Sequence, residues 1–221
     1  MIKKIIIVLA AIFLLVSPVY ADFTYKYEYV FSYGVPGVLP GSGTTPWLTA
    51  TFVDGVLDNK VTLTIAATNL TGSEKVTEVR FNYLYGVLPT DVGLLNISYT
   101  GGLGTYGVDA NTYSPNAYTG DGVSGFDIKI SFKPNDALIQ GETAIFEITR
   151  ADGNYLYASD FLTMGQTSKG GYYTAAHIQG ILTPTGGQTS DWVTSVPIPP
   201  ALWLLGSGLV GLVAIRRRRI K

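Results

Sequence analysis

Phe126-Asp127-Ile128-Lys129-Ile130-Ser131-Phe132 alternates an apolar with a polar side chain at every step. A period of two belongs to a β-strand with one face buried and one face in water, the pattern that antiparallel sheets write most cleanly. The same period runs through residues 23–33, where Phe23, Tyr25, Tyr27, Tyr29, Phe31 and Tyr33 hold every odd position. Each such ring removes roughly 150–250 Å² from water if covered, so the stripe reads first as core. Left uncovered, it is instead a platform for stacking sugar rings, because large exposed apolar patches mark binding sites.

Working outward, further strands are predicted over residues 47–53, 61–68, 77–85, 95–99, 144–149 and 155–162. Asp54-Gly55 and Asp152-Gly153 supply turn signals between some of them, since glycine accepts the positive φ of tight turns. No segment between residues 22 and 195 holds a helical period over three turns. The expected fold is therefore all-β, an antiparallel β-sandwich of jelly-roll or immunoglobulin-like type. Residues 101–125, rich in Gly, Tyr, Asn, Ser and Asp, hold no period and are read as a long loop. Asp109, Asn111 and Asp121 within it are oxygen donors, but the alternation of a calcium-binding loop is missing, and they read as solvated turn residues.

Charge is distributed unevenly. All 16 acidic residues fall between Asp22 and Asp191, with only 8 of the 15 lysines and arginines, so the middle of the chain is net minus eight. Such a body is unsuited to nucleic acid, whose phosphates are bound by clustered cations. With no cysteine there is no disulfide, thiolate nucleophile or cysteine-ligated metal. The sequence calls for no cofactor.

The remaining cations flank two apolar blocks. Lys3 and Lys4 precede twelve apolar residues, Ile5 to Val16, and the small residues Val19 and Ala21 follow. This is the plan of a secretory signal peptide over residues 1–21, cleaved after Ala21 by signal peptidase. A helix of that block spans only about 18 Å, too short for a hydrocarbon core of about 30 Å. At the other end Val196-Pro197-Ile198-Pro199-Pro200 is held extended by its prolines. A helix of fifteen apolar or small residues, Ala201 to Ile215, then makes a short transmembrane span of about 23 Å. Arg216, Arg217, Arg218 and Arg219 after it keep the C-terminus in the cytoplasm and leave the β-domain outside.

An extended Pro-rich element, a short apolar helix and an Arg cluster together resemble the PEP-CTERM sorting signal. The likeness rests on Val196-Pro197, Pro199, Trp203-Leu204-Leu205-Gly206-Ser207-Gly208-Leu209 and the four arginines; Ile198 stands where an acidic residue is usual. It covers residues 196–221. The resemblance implies processing by an exosortase-like enzyme, transient residence in the inner membrane, and delivery to the cell surface or an exopolysaccharide-rich matrix. It carries no catalytic activity to the domain between.

Candidate chemistry in that domain is sparse. A Ser-His-Asp mechanism would need His177, the only histidine, and no Gly-x-Ser-x-Gly element accompanies it, so it reads as a packed side chain. Glu142 and Glu147 can be nominated as a glycosidase pair, but any two of sixteen acids can. The expected function is a non-enzymatic surface or matrix protein, structural or exopolysaccharide-associated. The alternatives are a carbohydrate-binding module, with Tyr25, Tyr27, Tyr29, Trp47, Tyr106 and Tyr113 as stacking candidates, or a glycan-active enzyme.

Overall fold

The computed structural model describes residues 22–30, 38–57, 59–84, 93–120, 123–165 and 172–195. The readings that concern Ala21, the sorting motif from Val196 to Arg219, and Phe31, Tyr33 and Asp121 lie outside the described residues. Among those described, no helix is long and apolar enough to cross a membrane.

Strands are the dominant regular structure of the described residues, in two antiparallel sheets. One, with five strands, runs in the order β1 (Phe23–Lys26), β3 (Leu48–Asp54), β4 (Lys60–Ala67), β10 (Thr143–Arg150) and β6 (Leu95–Leu103). The other runs β2 (Tyr29–Val30), β12 (Gln188–Thr194), β11 (Thr174–Leu182), β5 (Lys75–Phe81), β8 (Val123–Phe132) and β7 (Val108–Gly120), with β9 (Leu138–Ile139) also paired to β5. The apolar face of β4 (Val61, Leu63, Ile65) and that of β10 (Ala144, Phe146, Ile148) join one buried cluster with Val79, Ile128 and Ile178 of the other sheet. Phe52 meets Phe81 edge-on across the gap, ring centres 5.1 Å apart. Each such side chain contributes about 1.5–3 kcal/mol by leaving water, and the alternation read in β8 places Ile128 and Ile130 in that core.

The aromatic stripe does not form one face of one strand. β1 belongs to the five-stranded sheet and β2 to the other, so the chain changes sheets at Tyr27 and Glu28. Tyr25 and Tyr27 are both fully buried, whereas Tyr29 is 54% exposed. Their hydroxyls explain why tyrosine is tolerated there, since a buried hydroxyl needs a partner. Tyr25 donates to the Phe161 carbonyl at 2.6 Å, and Tyr27 bonds to the Thr174 hydroxyl.

Two predicted elements are corrected. Residues 155–162 form no strand; they run through an extended stretch into a 3-10 turn, Ala158–Phe161, closed by the Asp160 carboxylate accepting from the Tyr157 N–H at 2.9 Å. Leu156, Ala158 and Phe161 plug the end of the core, which is what their apolar period records. Conversely, the expected loop over 101–125 holds the end of β6, all of β7 and the start of β8. β7 is an edge strand whose side chains are mostly at least partly exposed, so no burial pattern marks it. Pro115 and repeated register shifts make it a poor template for further pairing. β11 and β12 were not among the predicted strands.

Candidate functional site

The stacking candidates do not converge. Tyr25, Tyr27, Trp47 and Tyr113 are buried and cannot meet a ligand; they fill the sandwich because aromatic rings offer the largest apolar area per residue. Tyr106 is half-buried, its hydroxyl donating to the Thr143 carbonyl at 2.6 Å and lying 3.1 Å from the Tyr99 hydroxyl. Burial is also the main reason its phenol is held above the ordinary range. Tyr29 alone of the six is well exposed.

The nominated carboxylates are engaged in structure. Glu142 is buried and accepts backbone N–H groups from Thr105 at 2.8 Å and Ile139 at 2.9 Å, closing the turn before β10. Glu147 pairs with Lys60 across the β4–β10 ladder at 2.7 Å. Asn111 donates to the Ile97 carbonyl, tying β7 to β6, while Asp109 is exposed. No group of three or more metal-ligating side chains is found among the described residues.

Two aromatic surfaces remain. The first lies on the seven-stranded sheet, where Trp192 of β12 sits opposite His177 of β11, ring centres 4.9 Å apart. Arg80 stacks its guanidinium 4.6 Å from the centre of the Trp192 ring and hydrogen-bonds Glu78. His177 Nδ1 lies 2.9 Å from the Thr77 hydroxyl. These neighbours cover the indole with the protein's own cation and imidazole, and Arg80 is only 8% exposed. The arrangement fixes the histidine in packing.

The second is open and is built by a turn. Lys60 pairs with Thr149, so the start of β4 and the end of β10 lie side by side, which brings Leu57 and Asn59 next to residues 153–155. Past β10, Asp152 accepts two bonds from Arg150, at 3.0 Å from Nε and 2.6 Å from Nη2. It also accepts from the Asn154 backbone N–H at 3.1 Å and from the Asn154 carboxamide at 2.9 Å. The remaining Arg150 Nη1 donates to the Tyr83 hydroxyl at 3.1 Å, anchoring the turn to the core. The Arg150 guanidinium beside Asp152 holds its carboxyl well below the usual range, so the pair stays ionised. Gly153, at φ 73°, supplies the left-handed residue that the turn requires.

That locked turn presents Tyr155, 60% exposed, with its ring parallel to Tyr157 at 6.0 Å and an interplanar angle of 5°. A cleft of about 370 Å³ lies between Tyr155, Asn154 and Gly153 on one side and Leu57 and Asn59 on the other. Its volume falls in the range of small-molecule sites, and its walls combine an aromatic ring, an exposed leucine and two carboxamides. Sequence reading missed it because Tyr155 was assigned to a strand. The usable signal was an aromatic residue leaving an Asp-Gly-Asn turn. Comparison with protein-family models, curated proteins and solved structures finds no match.

Proposed function

We propose that the chain is an exported, non-enzymatic protein of the cell surface or extracellular matrix, carried out by an N-terminal signal peptide and sorted through a PEP-CTERM-like C-terminus. The observation that carries this reading is where the sandwich begins and ends. β1 opens at Phe23, just past Ala21, and β12 closes at Thr194, just before Val196. The two ends are also knitted together: Glu28 donates to the Thr194 carbonyl at 3.2 Å, and Val30 pairs with Val193. Cutting after Ala21 and again near residues 197–200 removes no paired strand among the described residues, so a processed product keeps both described sheets. Within this reading the chain's repeated passage between sheets favours a jelly-roll over an immunoglobulin-like arrangement.

Intact mass of the protein released from the surface of its host tests the proposal. The expected species begins at Asp22 and lacks residues 201–221, while a reporter fused beyond Lys221 is cytoplasmic before processing. A cytosolic product retaining both ends overturns it. A second reading, carbohydrate binding, is favoured by the open face of Tyr155.

A further inference from the structure

We propose that the cleft between Tyr155 and Leu57 binds a neutral polysaccharide, with one hexopyranose ring stacked on Tyr155. The inference deepens the carbohydrate-binding reading and moves it to residues that sequence reading did not nominate. Pyranose rings carry a face of C–H groups, polarised slightly positive, and a rim of hydroxyls. An aromatic ring face is negative, so it attracts the first; carboxamides both donate to and accept from the second.

Both kinds of group are present and held ready. Tyr155 is braced by the parallel ring of Tyr157 and is still 60% exposed, so ring surface is open to a ligand. Asn154 commits its NH₂ to Asp152, so its carbonyl oxygen is left as an acceptor at the rim. The Asn59 side chain makes no hydrogen bond among the described residues and has both functions available. Leu57, 59% exposed, forms the apolar wall opposite. Asp152, clamped by Arg150 and bonded to Asn154, fixes the turn before any ligand arrives, which lowers the ordering cost of binding.

Charge decides between neutral and acidic sugars. A polyuronate needs a free cation at the cleft, and the cations beside it are engaged: Arg150 by Asp152 and Tyr83, and Lys60 by Glu147. The described lining residues carry no charge. The domain as a whole is net minus eight from its sequence, and a polyanion is repelled by it. A neutral chain meets neither obstacle.

Affinity electrophoresis of the full chain in mild detergent tests this, with galactomannan and mixed-linkage β-glucan as neutral polymers and alginate as the polyuronate. Retardation is expected with at least one neutral polymer and not with alginate. Tyr155→Ala should weaken it about tenfold, Tyr155→Phe should stay within about twofold, and Tyr29→Ala, at an exposed tyrosine of the other sheet, should match wild type. Melting temperatures of the variants exclude misfolding, which the exposure of Tyr155 makes a minor matter. The proposal is overturned if neither neutral polymer retards the wild type, if alginate retards it more, or if folded Tyr155→Ala binds undiminished. Surface localisation is read separately, so either proposal can fail while the other stands.

Discussion

The two sheets solve the same burial problem with different chemistry. Apart from the Tyr25 hydroxyl, no strand of the five-stranded sheet buries a polar group of a side chain, whereas the seven-stranded sheet buries Arg80, Asp127, Thr174, Asp191 and Thr194 within its own strands. The difference follows regularity. The five-stranded sheet has one register shift, between β10 and β6, while the other is shifted in its β5–β11, β11–β12 and β7–β8 ladders. Each shift leaves backbone groups without a ladder partner, and a buried unpaired group costs about 1–3 kcal/mol. At the β7–β8 shift Asp127 takes up that role, accepting from Asn116 at 2.7 Å and also from Tyr83 at 2.9 Å; Thr174, at the start of β11, donates to the Arg80 carbonyl at 2.6 Å. One sheet is thus held mainly by apolar packing, the other by packing plus polar pins.

The sharpest way to break this contrast is to remove packing from the regular sheet. Phe52 of β3 is fully buried and lies against Phe23, Phe81 and Phe161, with ring centres between 4.6 and 5.1 Å. Phe52→Ala should cost about 3–5 kcal/mol in denaturant-induced unfolding, with nothing nearby able to fill the void. Phe126→Ala, in a separate small cluster with Ala175 and the partly buried Tyr118, Tyr172 and Trp192, should cost about 3 kcal/mol or less, because that rim can collapse. Equal losses at the two sites would show that the sheets do not differ in how they are held.

This contrast also explains what was legible in the residues. β3, β4 and β10 alternate cleanly because one face is core and the other water, β8 alternates in sequence although its Asp127 is buried, and all four are found within two residues of their predicted starts or ends or, for β8, three. β7 was hidden because an edge strand with two wet faces has no reason to alternate. β11 was hidden because Ala175 and Ala176 are both buried, on opposite faces, and a glycine bulge resets its phase. At the candidate cleft the aromatic residue was visible, but its exposure was not. Exposure there depends on the bidentate Arg150–Asp152 clamp and on strand pairing that brings Asn59 alongside, neither of which a one-dimensional pattern contains.

The bulge in β11 gives a second, smaller test. Gly180 sits at φ 80° where β11 slips against β12, and an added Cβ would lie 2.2 Å from the Ser73 carbonyl oxygen. The Ser73 hydroxyl donates to the Gly180 carbonyl at 2.9 Å, so the two backbones are pinned at this approach. Gly180→Ala should cost about 2–3 kcal/mol from strain and overlap together. Gly141, at φ 82° in the turn before β10, has nothing within 4 Å of such a Cβ, and Gly141→Ala should cost about 1 kcal/mol from the backbone alone. The gap between the two variants in thermal unfolding measures the close approach; if it vanishes, the bulge is loose.

The smallest expected effect is one of slope with pH, and it probes the pins themselves. Burial pushes the Asp127 carboxyl up from its ordinary value of 3.8, against the lowering effect of the Tyr83 and Asn116 N–H groups. Asp160, at the end of the core, is raised by burial as well. An acid whose folded pKa exceeds its unfolded one binds its proton more tightly when folded. Its favourable contribution is therefore full below the unfolded value and is lost as pH rises through the folded one. Asp152 has the opposite sign: its pKa is depressed, chiefly by its hydrogen bond from Arg150, and its contribution is lost only as pH falls below 3.8. Stability measured by urea unfolding should rise as pH falls from 7 towards 4, then decline in stronger acid. Asp127→Asn should flatten the first limb and leave the second, since the amide cannot titrate but Asp152 still does. An unchanged first limb would mean that Asp127 is solvated at the bulge, and the seven-stranded sheet would then lose its claim to a buried ionisable pin.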